Sequence, residues 1–146
     1  MAAVVMRCTI KHRDQGGARM RRDIQGIIIV LVCLHALLAY RGMFIEPRAW
    51  GAICAGVAPA LACAPRAALL WAQHYQLWGA AALGLGLWAF IGAPFAVAVA
   101  GVAMGAAAVV NFNASWGMWG LALAGWAWVR VSSEPAAGAA APVPPA

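Results

Sequence analysis

The sequence predicts an all-α protein, a polytopic bundle of transmembrane helices with about five spans. Hydrophobic residues make up 65% of the 146 residues and charged residues only 10%, whereas a soluble domain usually carries about 25% charged residues. The mean hydropathy is +0.81. The stretch from Ala67 to Val129 contains no charged residue. A chain this short cannot bury so much apolar surface in a water-soluble core, so we expect it to lie in a lipid bilayer.

Residues 1–23 form a basic tail in front of the first apolar run. This tail holds six of the ten Lys and Arg residues, which is typical of the cytoplasmic flank of a first span. We expect the tail to be disordered. Aromatic residues do not alternate with the basic ones, so we expect no binding to nucleic acid. Met20 is an alternative start site, which would leave residues 1–19 untranslated.

The first predicted span covers residues 24–40, because this apolar run is just long enough to cross the hydrocarbon core. A cleaved signal peptide is the alternative, since basic residues followed by an apolar core also fit a leader. The sequence Leu37-Leu38-Ala39 makes a poor cleavage site, and we therefore favour an uncleaved span.

The second predicted span covers residues 49–64, with a kink at Pro59 because proline removes a backbone donor. Cys54 and Cys63 would lie about 13 Å apart in this helix, too far for a disulfide. No cysteine pair has a metal-binding spacing, so we expect no zinc site. In a four-span alternative, residues 49–64 form a re-entrant segment instead.

The uncharged stretch divides into three further spans at two breaks. Gly92-Ala93-Pro94 predicts a turn, and the polar run 111–115 predicts another, with Asn113 or Ser115 capping the next helix. The three spans then cover residues 69–91, 94–110 and 115–130. The transmembrane domain is therefore 24–130, and residues 131–146 form a Pro- and Ala-rich tail that we expect to be disordered.

The fourth span, residues 94–110, is nearly pure Ala, Val, Gly and Met and contains no tryptophan. Such a thin helix suits the centre of a bundle, while the tryptophans of the other spans suit the membrane interfaces. The distribution of basic residues predicts a cytoplasmic (inner) membrane protein with its N-terminus inside and its C-terminus outside. The four-span alternative would place Arg130 inside.

Small residues recur at four-residue spacing along several predicted spans. In lipid, such residues let helix backbones approach closely. We expect them to pack helices within the chain, or against other membrane proteins or a second copy. The spaced sets are Ala52, Gly56, Ala60 and Ala64; Gly101 and Gly105; Ala80 and Gly84; and Ala82 and Gly86.

Five polar residues of the predicted spans and loops are candidates for function. His35 lies deep in the first span, where an ionisable residue is a functional candidate; the alternative is a neutral histidine bonded to a neighbouring helix. Gln73, His74, Asn111 and Asn113 fall near the cytoplasmic side of this topology, where they would form a polar pocket with Arg66 and Ser115. Ordinary capping and solvation at the interface is the alternative.

No catalytic, metal-binding or cofactor-binding motif is present, so we predict no catalytic or metal residue and no cofactor. His35 and His74 differ in depth by about 8 Å in this topology, which argues against a shared haem. The segment from Gly86 to Pro94 resembles the signature helix of small bacterial SPW-repeat membrane proteins. The Ser-Pro-Trp triplet of that family is missing from this chain, so we do not assign the chain to it. Membership would imply a membrane protein of unknown activity.

Three hypotheses for function follow from these observations. The first is a non-enzymatic accessory or structural membrane subunit, because charge is absent from the spans and small-residue faces are available for packing. The second is a small transporter or channel component, for which His35 is the deep polar candidate. The third is a haem protein or other membrane enzyme subunit, which ranks last because ligands for a cofactor are few.

Overall fold

The computed structural model describes residues 2–56 and 60–133, and this part of the chain is helical and contains no strand. The predicted all-α class is confirmed. A π-helical turn, Arg41–Ile45, continues the first helix. The α-helices are α1 (Ala2–Tyr40), α2 (Ala49–Cys54), α3 (Cys63–His74), α4 (Leu77–Ile91), α5 (Phe95–Val110) and α6 (Ala114–Ser133).

Helix α1 begins well before the predicted span at residues 24–40. It runs from Ala2, so the helix also covers the tail that we expected to be disordered. The stretch Gly16–Ile45 has a mean hydropathy of 2.1 in its most apolar window, none of which is buried, and it is the one helical stretch of the described residues that is long and apolar enough to cross a membrane. Helices α4 and α5 are apolar but shorter.

The predicted second span, residues 49–64, is not one helix. Helix α2 ends at Cys54, Ala55 is in a turn and Gly56 in a bend, and α3 begins only at Cys63. The predicted kink at Pro59 lies outside the described residues. The Cα atoms of Cys54 and Cys63 are 5.5 Å apart and their sulfurs form a disulfide. The prediction that they could not pair was wrong, because it assumed an unbroken helix.

The small-residue stripe of the predicted second span is consequently not a helix face. Its members Ala52, Gly56, Ala60 and Ala64 are all exposed. The prediction that they pack helices together was wrong for the same reason as the cysteine prediction.

The predicted third span, residues 69–91, is also divided. Gln76 adopts a left-handed conformation with φ of 54°, which separates α3 from α4. Helix α4 then ends at Gly92, whose φ of 120° is accessible to glycine because it lacks a Cβ atom. The predicted turn at Gly92-Ala93-Pro94 is confirmed, and Pro94 directly precedes α5.

Helices α4, α5 and α6 pack with their backbones in contact. A Cβ atom added to Gly86 of α4 would lie 2.5 Å from the carbonyl oxygen of Gly120 on α6. A Cβ added to Gly101 or Gly105 of α5 would lie 2.8 Å from the Cβ of a residue on α6. The predicted close packing at Gly101, Gly105, Ala82 and Gly86 is confirmed.

The pair Ala80 and Gly84 does not pack helices within the chain, while its packing against another protein stays a prediction. Both residues are exposed, and a Cβ added to Gly84 would meet nothing within 4 Å. The physical reason is helical phase, because Gly84 lies two residues from Gly86 and therefore on the other side of α4.

Helix α5 lies at the centre of the bundle, as its small residues predicted. It packs against α1, α4 and α6. Its buried residues are Ala98, Val99, Gly101, Gly105 and Ala108. The fully enclosed core of the described residues contains no large side chain, so the bundle is stabilised by close backbone approach and not by interlocking bulky residues.

The contacts between helix ends fix the directions of the helices. Ser132 near the end of α6 donates a hydrogen bond to Asp23 of α1 at 2.8 Å. Arg130 donates to the carbonyl of Phe90, near the end of α4, at 3.2 Å. At the other end of α1, Arg41 donates to the carbonyl of Val110, the last residue of α5. We call these two ends of the bundle the Arg22 end and the Arg41 end.

Four helices, α1, α4, α5 and α6, therefore run between the two ends. Helices α2 and α3 stay at the Arg41 end, where Arg66 donates to the carbonyl of Phe44 at 3.1 Å. Arg130 lies at the same end of the bundle as Arg22, because no helix over residues 49–64 runs from one end to the other. The tail from residue 134 lies outside the described residues.

Candidate functional site

Arg22 lies at the start of the apolar part of α1 and covers the ring of Phe95 on α5. Its guanidinium carbon is 4.3 Å from the ring centroid, within the range of a cation–π contact. Its Nε and Nη2 atoms are buried, and neither has a hydrogen-bond partner in the described part of the chain. The carboxylate of neighbouring Asp23 accepts a bond from Ser132 instead. Arg22 therefore presents two buried donors that have no acceptor among the described residues.

A groove of about 700 Å³ begins at Arg22 and runs between α1 and α5. Its α1 wall is apolar beyond Gln25, and its α5 wall consists largely of alanine. The walls include Gly26, Ile29, Cys33 and Leu37 from α1, and Ala96 and Ala103 from α5. Because alanine side chains are short, the two helices leave a channel between them where larger residues would fill the space.

Trp78 of α4 contributes to the same groove. Its indole Nε1 atom is buried and has no hydrogen-bond partner among the described residues. Buried polar atoms are normally paired, so the groove has unpaired donors contributed by two helices, with an apolar wall between them.

Arg41 forms a second polar cluster at the opposite end of the bundle. Its Nε atom is 3.1 Å from a carboxylate oxygen of Glu46, and its guanidinium carbon is 4.5 Å from the centroid of the Phe112 ring. It also donates to the carbonyl of Val110. These contacts connect the end of α1 to the α5–α6 turn, so the role that they support is structural.

Asn111 and Asn113 lie in the α5–α6 turn and are buried. The side chain of Asn111 donates to the carbonyl of Ala107 at 2.9 Å, and this carbonyl also accepts the backbone N–H of Asn111 at 3.0 Å. The side-chain nitrogen of Asn113 is buried without a partner in the described residues. Its backbone carbonyl accepts from Gly117 at 3.2 Å. Among the described residues, the Asn113 side chain forms no hydrogen bond that would cap the start of α6.

The remaining predicted candidates lie apart from this turn. His35 is exposed on α1 and lies in a shallow surface depression with Leu31, Val32 and Ala36. His74 is exposed at the end of α3, edge-on to the ring of Tyr75 at 5.0 Å. Gln73 is partly buried beside it.

The structure thus brings Asn111 and Asn113 together and leaves His35 on a separate surface. No hydrogen bond within the described residues joins Gln73 or His74 to either asparagine. Nor does this part of the chain contain a group of three His, Cys, Asp or Glu residues close enough to hold a metal ion.

Arg22 and Trp78 were not among the residues predicted to carry function. Arg22 was interpreted as part of the topogenic basic tail, and Trp78 as one of the interfacial tryptophans. Arg22 is the last basic residue before the apolar run, which is the only sequence signal that distinguishes it from Arg21. The sequence gives no sign of the unpaired nitrogens of Arg22 and Trp78, which depend on tertiary contacts such as that of Phe95 with Arg22.

Comparison with protein-family models, with curated proteins and with solved structures finds no match to this chain.

Proposed function

We propose that the chain is an integral membrane protein and that it acts as a structural or accessory subunit. One combined observation carries this proposal. The surface of the protein is largely apolar, and in its interior the helix backbones are in contact at glycine and alanine residues. Each half of that observation supports a different part of the proposal.

The exterior supports residence in a bilayer. The apolar side chains of α1 that are exposed include Ile28 and Val32, and those of the α4–α6 bundle include Leu87, Met118 and Val129. Monomeric soluble proteins rarely expose contiguous apolar patches of such extent. Exposed tryptophans lie near both ends of the bundle, with Trp88 and Trp126 towards the Arg22 end and Trp71, Trp116 and Trp119 towards the Arg41 end, as expected for two interfaces.

We infer four crossings, formed by α1, α4, α5 and α6. Helices α4 and α5 have 15 and 16 residues, which corresponds to about 22 and 24 Å. The hydrocarbon core is about 30 Å thick, and a shorter helix is accommodated by local thinning of the bilayer or by flanking residues that reach the interface. The proposal therefore includes a thinned bilayer around this bundle.

The orientation follows from charge and from the disulfide. The basic tail and Arg130 belong to the Arg22 end, which we place in the cytoplasm under the positive-inside rule. The disulfide between Cys54 and Cys63 lies in the segment at the Arg41 end, and disulfides persist in oxidising compartments outside the cytoplasm. Both features support the same orientation, with the N- and C-terminal segments inside.

The interior supports a structural role over transport. Backbones of α4, α5 and α6 touch at Gly86, Gly105 and Gly120, so these helices lie too close to leave a path between them. His35, the polar residue considered for transport, is exposed on α1 and away from that interior. The free face of α1 remains available to lipid or to the helix of a larger complex.

Purification from native membranes in a mild detergent tests this proposal. We expect the chain to resist extraction by alkaline carbonate and to elute in a complex much heavier than its own 15.1 kDa. The substitution Val32→Gln on the exposed face of α1 should release the chain from that complex, whereas Leu87→Gln on the exposed face of α4 should not. A chain that is released by carbonate, or that elutes alone and supports solute flux in proteoliposomes, would contradict the proposal.

A further inference from the structure

We propose that the groove between α1 and α5 binds one acyl chain of an anionic phospholipid from the bilayer, with the lipid phosphate at Arg22. This inference rests on the proposed membrane residence and adds a specific ligand to it. It uses the two unpaired nitrogens of Arg22, the apolar walls of the groove and the position of Arg22 at the membrane surface.

Charge complementarity identifies the headgroup. The Nε and Nη2 atoms of Arg22 are buried without partners in the described residues, while the face of its guanidinium lies on Phe95. The free edge of a guanidinium forms paired hydrogen bonds to phosphate oxygens. Asp23, the adjacent carboxylate, is bonded to Ser132. A phosphate is therefore a group that would satisfy both nitrogens of Arg22, and Asp23 would keep its bond to Ser132.

The groove has the length and the chemistry of an acyl chain. From Arg22 to Leu37 it follows fifteen residues of α1, or about 22 Å of helix. Its walls are apolar along this length, from Gly26 and Ile29 to Leu37. Pockets of some 300–1,000 Å³ hold ligands of small-molecule size, and the volume of about 700 Å³ lies within that range.

The shape of the groove favours a hydrocarbon chain over a whole partner helix. A volume of about 700 Å³ spread along about 22 Å of α1 leaves a narrow cross-section, whereas a helix with its side chains is about 10–12 Å across. A flexible hydrocarbon chain fits where a helix does not. The alanines of α5, including Ala96 and Ala103, provide the width for it.

The position of Arg22 matches the depth of a lipid phosphate. Arg22 lies at the level of the α4–α5 turn, since it contacts Phe95 at the start of α5. It precedes the apolar run of α1, and we have placed this end of the bundle in the cytoplasm. The cytoplasmic leaflet is the one rich in anionic lipids, so the ligand is abundant where the site opens.

Lipid titration of the purified full chain in a neutral detergent tests the inference. Phosphatidylglycerol should raise the thermal unfolding temperature and remain bound in native mass spectrometry, whereas phosphatidylcholine with the same acyl chains should bind about tenfold more weakly or not at all. Inorganic phosphate alone should give no stabilisation, because it lacks the chain that fills the groove.

Matched variants separate recognition of the lipid headgroup by Arg22 from the general effect of removing a positive charge. Arg22→Gln should lose the preference for phosphatidylglycerol, and Arg21→Gln, which alters the exposed neighbour, should keep it. Ala103→Phe should fill the groove and weaken binding while Arg22 is still present. The unfolding temperature of each variant without lipid, and its retention in carbonate-washed membranes, shows whether it still folds and inserts.

The inference would be overturned by equal binding of the two lipids, by wild-type binding in Arg22→Gln, or by stabilisation with inorganic phosphate alone. It would also be overturned if lipid bound only after removal of residues 134–146, because the tail would then be the occupant of the groove. None of these results would affect membrane residence, which the carbonate wash reports independently.

Discussion

Gly86 shows how a single residue controls the packing of this bundle. Its position directly against Gly120 leaves no room for a side chain. In lipid, helices associate through van der Waals contact and not through the hydrophobic effect, so losing this approach removes a main attraction between α4 and α6. A glycine inside a helix costs about 1 kcal/mol relative to alanine, and the close contact offsets that cost.

Alanine substitutions at two glycines of α4 test this account. Gly86→Ala places a Cβ atom against Gly120 and should lower the free energy of unfolding by about 1–3 kcal/mol. Gly84→Ala meets open space and should raise it by up to about 1 kcal/mol, because alanine favours the helix. Thermal unfolding of both proteins in detergent measures the difference. If Gly84→Ala were the more harmful change, the assignment of faces on α4 would be wrong.

At the scale of elements, the segment between α1 and α4 is the least regular part of the described chain. Helices α2 and α3 are short, and the disulfide joins residues nine positions apart. A disulfide that closes so short a loop contributes about 2–3 kcal/mol in the chain-entropy account. This segment therefore depends on a covalent link as well as on packing.

Thiol labelling in intact cells tests the disulfide and the compartment together. In a chain carrying Cys8→Ser and Cys33→Ser, a membrane-impermeant maleimide should label nothing until a reductant is added, and should then label both remaining cysteines. A further Cys54→Ser change should leave Cys63 free and labelled without reductant. Labelling of the paired form before reduction would show that the disulfide is absent, and labelling only after lysis would place the segment inside.

The boundaries of helices were predictable where the sequence contains a strong turn signal. Predicted spans 94–110 and 115–130 correspond to α5 and α6, because Pro94 and Asn113 lie at their starts. The break at Gln76 was missed because glutamine carries no general preference for the left-handed conformation that it adopts. The pairing of Cys54 with Cys63 was missed because Pro59 was interpreted as a kink within one helix, which would have kept the two cysteines apart.

At the scale of the whole molecule, the proposed number of crossings determines on which side of the membrane each end of the helical domain lies. With four helices between the Arg22 end and the Arg41 end, the hydrogen bond from Ser132 to Asp23 brings the beginning and the end of the helical domain together. A fifth crossing would have separated them. In the proposed four-span topology, the basic residues of the tail and Arg130 share one side of the membrane, as the positive-inside rule favours.

Reporter fusions test this topology. A fluorescent protein fused at residue 1 or after residue 146 should fluoresce, and alkaline phosphatase inserted after Arg48 should be active, because the proposed topology places only the Arg41 end outside. The same phosphatase inserted after residue 93, in the α4–α5 turn, serves as the inactive control. Phosphatase activity from a fusion after residue 146 would restore the five-span arrangement.

The candidate site was less predictable than the fold. Asn111 and Asn113 were found from sequence because polar residues are conspicuous in an uncharged stretch. Arg22 was not, since nothing in its local sequence distinguishes a guanidinium with unpaired nitrogens from one solvated at a surface. That difference arises from Phe95 and the alanines of α5, which are more than seventy residues away in the chain.

The sequence by itself determined the helical class and the small-residue centre at α5, because these depend on composition and on helical spacing within a few turns. It also determined the boundaries at Pro94 and Asn113, which directly precede α5 and α6. Only the tertiary structure decided the pairing of Cys54 with Cys63, the return of α6 to the Arg22 end and the groove beside Arg22. Each of these requires two segments far apart in sequence to meet, and a local pattern carries no information about which segments do so.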